Sequence, residues 1–509
     1  MFDCGHLSAG ARESASSLFC KRFVFLAVVL VSGALLSVRL SAEVTKVTFT
    51  KTGISVGSFG PSFSIVPGDF NKDGILDLVT INATSLSFYE GLGDGKYAAP
   101  VTQTLSTSNP LAGPSLAADF NGDGRLDLAI AAGPLCCGEP NGAVTILLGN
   151  GDGTFTQGTN LTFDGNASTI ALADFNGDHK PDIAVSDAGN IFVFLGNGDG
   201  TFTLGYSNSN GGGNVLVAGD FNGDGKQDLV FADSNYIGLY LGDGKGGFAY
   251  PAEAPLAGVT SLAVGDFFNT HSYESLVALA STGIPEDDGI YTYTYSLRYE
   301  DGGLIIESSN LVAGATSGGP TYIAGGDLNG DFNFDVFISG GGYYEGPASE
   351  YMLGNGNGTF QELQKAGYVG DVSVLEFPII RDLNLDSRHD VAMAYLNLED
   401  DTGGAEVLLN TNATPNCAPP PANKLSVNIC APTSGETVGS TFTFSAAGNA
   451  FSGSAQRMQL YIDGTKVAEF LEDQLAATVS LSAGVHTAKF VVTDSFGTEA
   501  EKSVSFTAD

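Results

Sequence analysis

The sequence predicts an all-β chain, a seven-bladed β-propeller followed by a small immunoglobulin-like β-sandwich. Three observations carry that expectation. An acidic loop of the form D-x-N-x-D-x-x-x-D opens at Asp69, Asp119, Asp174, Asp220, Asp327 and Asp382, with a degenerate seventh copy at Asp266. A glycine turn, Gly149-Asn-Gly-Asp-Gly-Thr-Phe155, recurs as Gly196 to Phe202 and Gly354 to Phe360, and more loosely as Gly91 to Tyr97 and Gly242 to Phe248. Short apolar runs such as Leu126 to Ala131 and Ala143 to Leu148 flank these motifs, without amphipathic helical periodicity.

The loops start 50, 55, 46, 46, 61 and 55 residues apart. That period suits one four-stranded blade per repeat. After Glu406-Val-Leu-Leu-Asn410 no Gly-Thr-Phe turn follows, so the last repeat lacks its fourth strand. Thr48-Phe-Thr-Lys-Thr-Gly53 resembles Thr154 to Gly158 and Thr201 to Gly205. We therefore expect the N-terminal strand to complete the last blade and close the ring, leaving only short protected edges.

Each intact loop places Asp, Asn, Asp and Asp at positions one, three, five and nine. The candidate ligands are Asp69, Asn71, Asp73 and Asp77; Asp119, Asn121, Asp123 and Asp127; Asp174, Asn176, Asp178 and Asp182; Asp220, Asn222, Asp224 and Asp228; Asp327, Asn329, Asp331 and Asp335; and Asp382, Asn384, Asp386 and Asp390. The backbone carbonyls of position seven (Ile75, Arg125, Lys180, Lys226, Asn333, Arg388) are expected to join them. Hard all-oxygen donor sets of this kind suit Ca²⁺, at about six sites. Two carboxylates about 5 Å apart repel by roughly 3 kcal/mol at an effective dielectric near 20, so a loop with three should splay or gain protons unless a cation is bound. Position twelve is Thr80, Ile130, Val185 or Phe231 rather than Glu, which excludes an EF-hand. Gly74, Gly124 and Gly225 at position six permit positive φ, whereas His179, Phe332 and Ser387 stand there in other loops. Bulky Phe332 should be strained, and its loop should bind more weakly. In the degenerate copy, Glu274 is read as the position-nine carboxylate.

Together, the D-F-N-G-D-G-x-x-D loops and L-G-N-G-D-G-T-F turns resemble FG-GAP (VCBS) repeats, the unit of the integrin α-subunit N-terminal propeller and of many bacterial surface proteins. The resemblance spans about Val44 to Asn410 and implies Ca²⁺ on one face of a propeller, held by the loop residues named above. No inserted domain interrupts the repeats, so integrin-style signalling is not implied.

Residues 1–42 are expected to be an export signal: Lys21-Arg22 precede an apolar run from Phe23 to Leu36 that is short for a membrane span. Without them, 17 basic and 55 acidic residues remain, a net charge of −38. Such a chain repels nucleic acid and anionic lipid. Export also leaves four cysteines: Cys417 and Cys430 are expected to pair around Ala418-Pro-Pro-Pro421, while the adjacent Cys136 and Cys137 are open to either free or cross-linked states.

The expected domains are 43–412 for the propeller, 413–423 for a linker and 424–509 for the sandwich. In the sandwich, Asp463-Gly464 marks a hairpin, and Met458 to Val467 resembles bacterial immunoglobulin-like modules. No H-E-x-x-H or G-x-S-x-G occurs. The sequence reads as a secreted or cell-surface, non-catalytic adhesion or recognition module, monomeric, with an extracellular protein or glycan as partner. A lectin, or less readily a polysaccharide hydrolase or lyase, is the alternative. Tyr291 to Tyr295 is read first as cross-strand packing, and that cluster or Tyr343 and Tyr344, if exposed on a propeller face, as a surface for sugar rings or a protein partner.

Overall fold

The apolar runs before and after each acidic loop pair with one another, so that every loop joins the first two strands of a sheet. The structure, a computed structural model, describes residues 29–31, 34–37, 46–53, 62–105, 111–132, 141–165, 167–187, 189–209, 211–284, 289–313, 322–342, 346–366, 374–397, 402–412, 417, 419–449, 455–471 and 473–509. Among them are strands and turns and no helix. The result is an all-β fold of repeated antiparallel sheets, as in a β-propeller.

Sheet one is Ser62–Gly68, Asp77–Asn82, Ser85–Tyr89 and Val101–Thr104, hydrogen-bonded in chain order. Five further sheets repeat this order, opening with Leu111–Ala118, Thr169–Ala173, Val215–Gly219, Val259–Gly265 and Tyr322–Gly326. The outer edge of the second is split between Phe155–Gln157 and Leu161–Asp164, which both pair with Asn141–Gly149. The last sheet comprises Val374–Arg381, Asp390–Asn397 and Thr402–Asn410, and takes its fourth strand from Phe49–Gly53. That pairing, from Phe49 opposite Asn410 to Gly53 opposite Glu406, is the one expected from the sequence. Lys51 Nζ lies 2.9 Å from Glu406, and Phe49 packs edge-on to Phe337 and Tyr351. The first strands neighbour one another in order, and Val374–Arg381 returns to Ser62–Gly68.

Second strands are buried throughout: every residue of Asp127–Ala132, Asp182–Ser186 and Asp228–Ala232 is covered. A strand with neighbours on both faces has no solvent side, which removes the period-two alternation. The two motifs are linked physically. The Phe at loop position two packs edge-to-face on the Phe that ends the next sheet's glycine turn: Phe70 on Phe155 (5.7 Å), Phe120 on Phe202 (5.5 Å), Phe175 on Phe248 (5.5 Å) and Phe267 on Phe360 (6.0 Å). Beside all four of these rings a turn glycine donates to the carbonyl of the same loop residue: Gly153 to Phe70, Gly200 to Phe120, Gly246 to Phe175 and Gly358 to Phe267. Loop and turn recur in register because each is half of a staple between neighbouring sheets.

The C-terminal segment forms two sheets around Phe444, Met458, Leu460, Phe490, Val492 and Phe506. Asp463 and Gly464 both take positive φ at the hairpin between Ala455–Ile462 and Thr465–Phe470. Cys417 and Cys430 form the expected disulfide. Within the expected export signal, Val29–Val31 pairs with Ala34–Ser37, which adds to the edge of Gln474–Ser480. Cys136 and Cys137 lie outside the described residues.

Candidate metal centres

Each loop is folded by its own acids. In the first, Asp69 accepts from Asp73 N through Oδ1 (3.0 Å) and from Gly74 N through Oδ2 (2.8 Å), and Asn71 Oδ1 accepts from the same Asp73 N (3.0 Å). Oxygens of positions one and three therefore converge on one N–H. Asp73 Oδ1 accepts from Ile75 N (2.8 Å). Equivalent bonds from positions one and three to the N–H of position five recur in the loops opening at Asp119, Asp174, Asp220, Asp327 and Asp382.

Position nine has a separate structural role. Asp77 Oδ2 accepts from Phe70 N (3.0 Å), and its Oδ1 accepts from Gly91 N (2.8 Å), the first residue of the glycine turn. Asp127, Asp182, Asp228, Asp335 and Asp390 make the same clasp, the last to Asn410 where the others find glycine. These six carboxyls are fully buried. Burial pushes Asp77, Asp127, Asp182 and Asp228 up to about 7 and Asp390 to about 8, with the carboxylates at positions one and five adding repulsion against the backbone donors. Burial likewise raises Asp335 well above the carboxylate range, and Asp327 and Asp382 at position one to about 6.

The donor set of each intact loop is all oxygen, which fits a hard cation. The oxygens are nevertheless committed to backbone N–H groups, and among the described residues no three carboxylate, imidazole or thiol side chains gather into a cage. The structure thus brings positions one, three and five together around a shared N–H and turns position nine toward the neighbouring glycine turn.

The degenerate loop corrects one sequence reading. Gly265 pairs with Ser275, ten residues on, where Gly68 pairs with Asp77, nine residues on. The loop therefore holds one extra residue, and Ser275 Oγ, not Glu274, accepts from Phe267 N (3.0 Å). Glu274 reaches back to the preceding loop, where its Oε2 accepts from Asp220 N (2.8 Å). Its burial raises it to about 7.

Backbone strain falls where the doubling-back requires it. At position six, His179 (φ 61°), Phe332 (φ 63°) and Ser387 (φ 69°) take the left-handed conformation, as does His271 (φ 53°) in the degenerate loop. Each such residue costs about 1 kcal/mol relative to glycine. The strain foreseen for Phe332 is present, and its ring meets Phe470 of the C-terminal sheets at 5.6 Å. Position four is left-handed too, in Lys72 (φ 67°) and Leu385 (φ 60°). The sequence pattern hides this, because Gly122, Gly177, Gly223 and Gly330 occupy that position only in other loops.

The first strands enclose a cavity of about 600 Å³, with apolar walls that include Ile65, Leu116, Leu172, Val217 and Ile380. Leu471, Asp473 and Ser495 of the C-terminal segment line its loop-side end. Tyr295 packs beside Tyr293, two residues earlier on the same strand (6.1 Å), and against the core of the fourth and fifth sheets. Tyr343 and Tyr344 lie outside the described residues, as does the Tyr291 side chain.

An FG-GAP-like repeat model matches residues 69–130, 135–185, 174–231 and 220–270, and an FG-GAP repeat model matches residues 114–147. Residues 69–270 carry FG-GAP repeats. In these FG-GAP repeats the acidic loops matched in full are those opening at Asp69, Asp119, Asp174 and Asp220. No curated protein matches the chain in sequence. One solved structure similar to it is an Agrocybe aegerita lectin, described by its specific recognition of non-reducing terminal N-acetylglucosamine. The likeness is at 18% identity and a TM-score of 0.41, over 68% of this chain and 93% of that one.

Proposed function

We propose that this chain is a secreted, non-catalytic recognition module, a closed seven-bladed propeller with an immunoglobulin-like sandwich, whose six intact loops bind Ca²⁺. The observation that carries the reading is the recurrence, in six sheets, of one arrangement: a position-nine carboxyl held between two backbone donors and raised first by its burial and then by its acidic neighbours. A bound Ca²⁺ would supply the positive charge that lets these acids ionise without expelling one another. In the first loop, Asp69, Asn71, Asp73, the Ile75 carbonyl and Asp77 would hold it, and the equivalent residues would serve in the other five. The chain's own part is rigidity. Position one folds the loop, position nine ties it to the glycine turn, and the Phe staples carry that order to the next sheet. Rigid connecting loops present a fixed surface to an extracellular protein or glycan at low entropic cost.

The test is calorimetric titration of Ca²⁺ into the chelator-treated protein beginning at Glu43. About six sites at roughly 10⁻⁴ to 10⁻³ M are expected. Absence of binding heat and of any Tb³⁺ luminescence in the loops would overturn the proposal.

A further inference from the structure

Position six of the loops separates into two groups. Where the residue is glycine, two of three copies are clear of the C-terminal module: a Cβ on Gly225 would meet nothing within 4 Å, and one on Gly124 would meet only Lys72. Where it is not glycine, all four copies touch that module. The His179 ring nitrogen lies 2.9 Å from the Phe496 carbonyl. The His271 and Phe332 rings sit 5.2 and 5.6 Å from the Phe470 ring, from two different loops. The Ser387 carbonyl accepts from Gln474 Nε2 (3.3 Å). Gly74, the third glycine, is also engaged: its carbonyl accepts from Ala422 N, and an added Cβ would lie 3.2 Å from Pro421.

A left-handed non-glycine residue is unfavourable on its own, so its placement at these contacts calls for a compensating role. We propose that the loop side of the propeller is the docking surface for the chain's own sandwich, that the position-six residues specify the seat, and that divalent cation binding in the loops and seating of the sandwich are thermodynamically linked. The linkage follows from geometry. The N–H of position six donates to the position-one carboxylate, as in His179 to Asp174, Phe332 to Asp327 and Ser387 to Asp382 (2.8 Å each), so the expected ligand fixes where the contacting residue points. Whatever orders position one therefore orders the seat, and a seated sandwich must in return favour the cation-bound loop by the same factor. The inference rests on the loops binding a cation and adds a consequence for the second domain.

Hydrogen exchange on the full chain tests it. With millimolar Ca²⁺, amides of Thr465–Phe470 and of residues 495–498 should be protected, and chelation should raise their exchange about ten-fold or more while Gly484–Asp494 changes less than two-fold. The double variant Phe332→Gly with His271→Gly restores glycine at both positions. It should release the Phe470 segment in the presence of Ca²⁺ while calorimetry still records binding by the intact loops. If that variant does not fold, the chelation comparison on the unaltered chain decides alone. Binding heat with no change in exchange overturns the linkage and spares the metal reading. No binding heat overturns both, and a double variant with unchanged protection at Phe470 overturns the assignment to position six.

Discussion

Removing the cation should destabilise the protein at pH 8 and hardly at pH 5. The cause lies in the buried position-nine carboxyls, which in the cation-free fold titrate near 7 or above against about 4 in the unfolded chain. Below pH 4 both states hold the proton. Between pH 4 and 7 the unfolded chain releases it and the fold keeps it, so the fold binds more protons and stability falls as pH rises. The loss is complete once pH passes the folded value, and it amounts to at most about 4 kcal/mol per carboxyl. Bound Ca²⁺ would act in the opposite direction. At ten times its dissociation constant it would stabilise each loop by about 1.4 kcal/mol, or about 8 kcal/mol over six. At roughly 2 °C per kcal/mol for a domain of this size, melting should rise by about 15 °C in millimolar Ca²⁺ at pH 8. At pH 5 a proton must leave a group titrating near 7, which weakens apparent affinity about 100-fold and leaves less than about 1 °C. Differential scanning calorimetry with Ca²⁺ or chelator at the two pH values measures both shifts. Equal shifts at pH 5 and pH 8 would refute position nine as the proton-linked ligand, and no shift at pH 8 would refute the cation altogether.

Three other outcomes follow from named contacts. Asp127→Asn removes an acceptor from either Phe120 N or Gly149 N, and should cost about 1–3 kcal/mol in denaturant unfolding at pH 5, with a smaller deficit at pH 8 where the native acid carries charge. Phe155→Ala breaks the staple to Phe70 and leaves a buried cavity between the first two sheets, so unfolding should show a loss of about 3–5 kcal/mol. Cys417→Ser with Cys430→Ser opens a 13-residue closure at the entrance to the C-terminal sheets, and should lower that module's stability by about 3 kcal/mol, read as earlier exposure of Phe490 to exchange.

Much of this arrangement was legible because it is local and repeated. Loop and turn motifs in register located the sheets, and the likeness of Thr48 to Gly53 to the ends of other turns located the strand that pairs with Thr402–Asn410. What escaped depended on geometry that spacing does not encode. Glu274 stands nine positions along its loop, yet one inserted residue shifts Ser275 into the clasp. Left-handed Lys72 and Leu385 carry no glycine to announce the conformation. The clasp itself gives position nine a task in folding, so the acid's recurrence has a structural cause beside the proposed ligation. Contacts such as Phe332 with Phe470 or His389 with Asp473 join distant segments, and no periodicity reports them.

The strand Phe49–Gly53 has a bearing on biosynthesis. It leaves the ribosome before every other strand of the repeat array, yet its partner Thr402–Asn410 is made hundreds of residues later. Until then the earliest strand must wait unpaired, and once translated the late one offers an open backbone ladder to any passing chain. Anything that occupies the early segment in the interval, a chaperone for instance, also guards the molecule against premature polymerisation, and its release becomes the event that completes the last sheet.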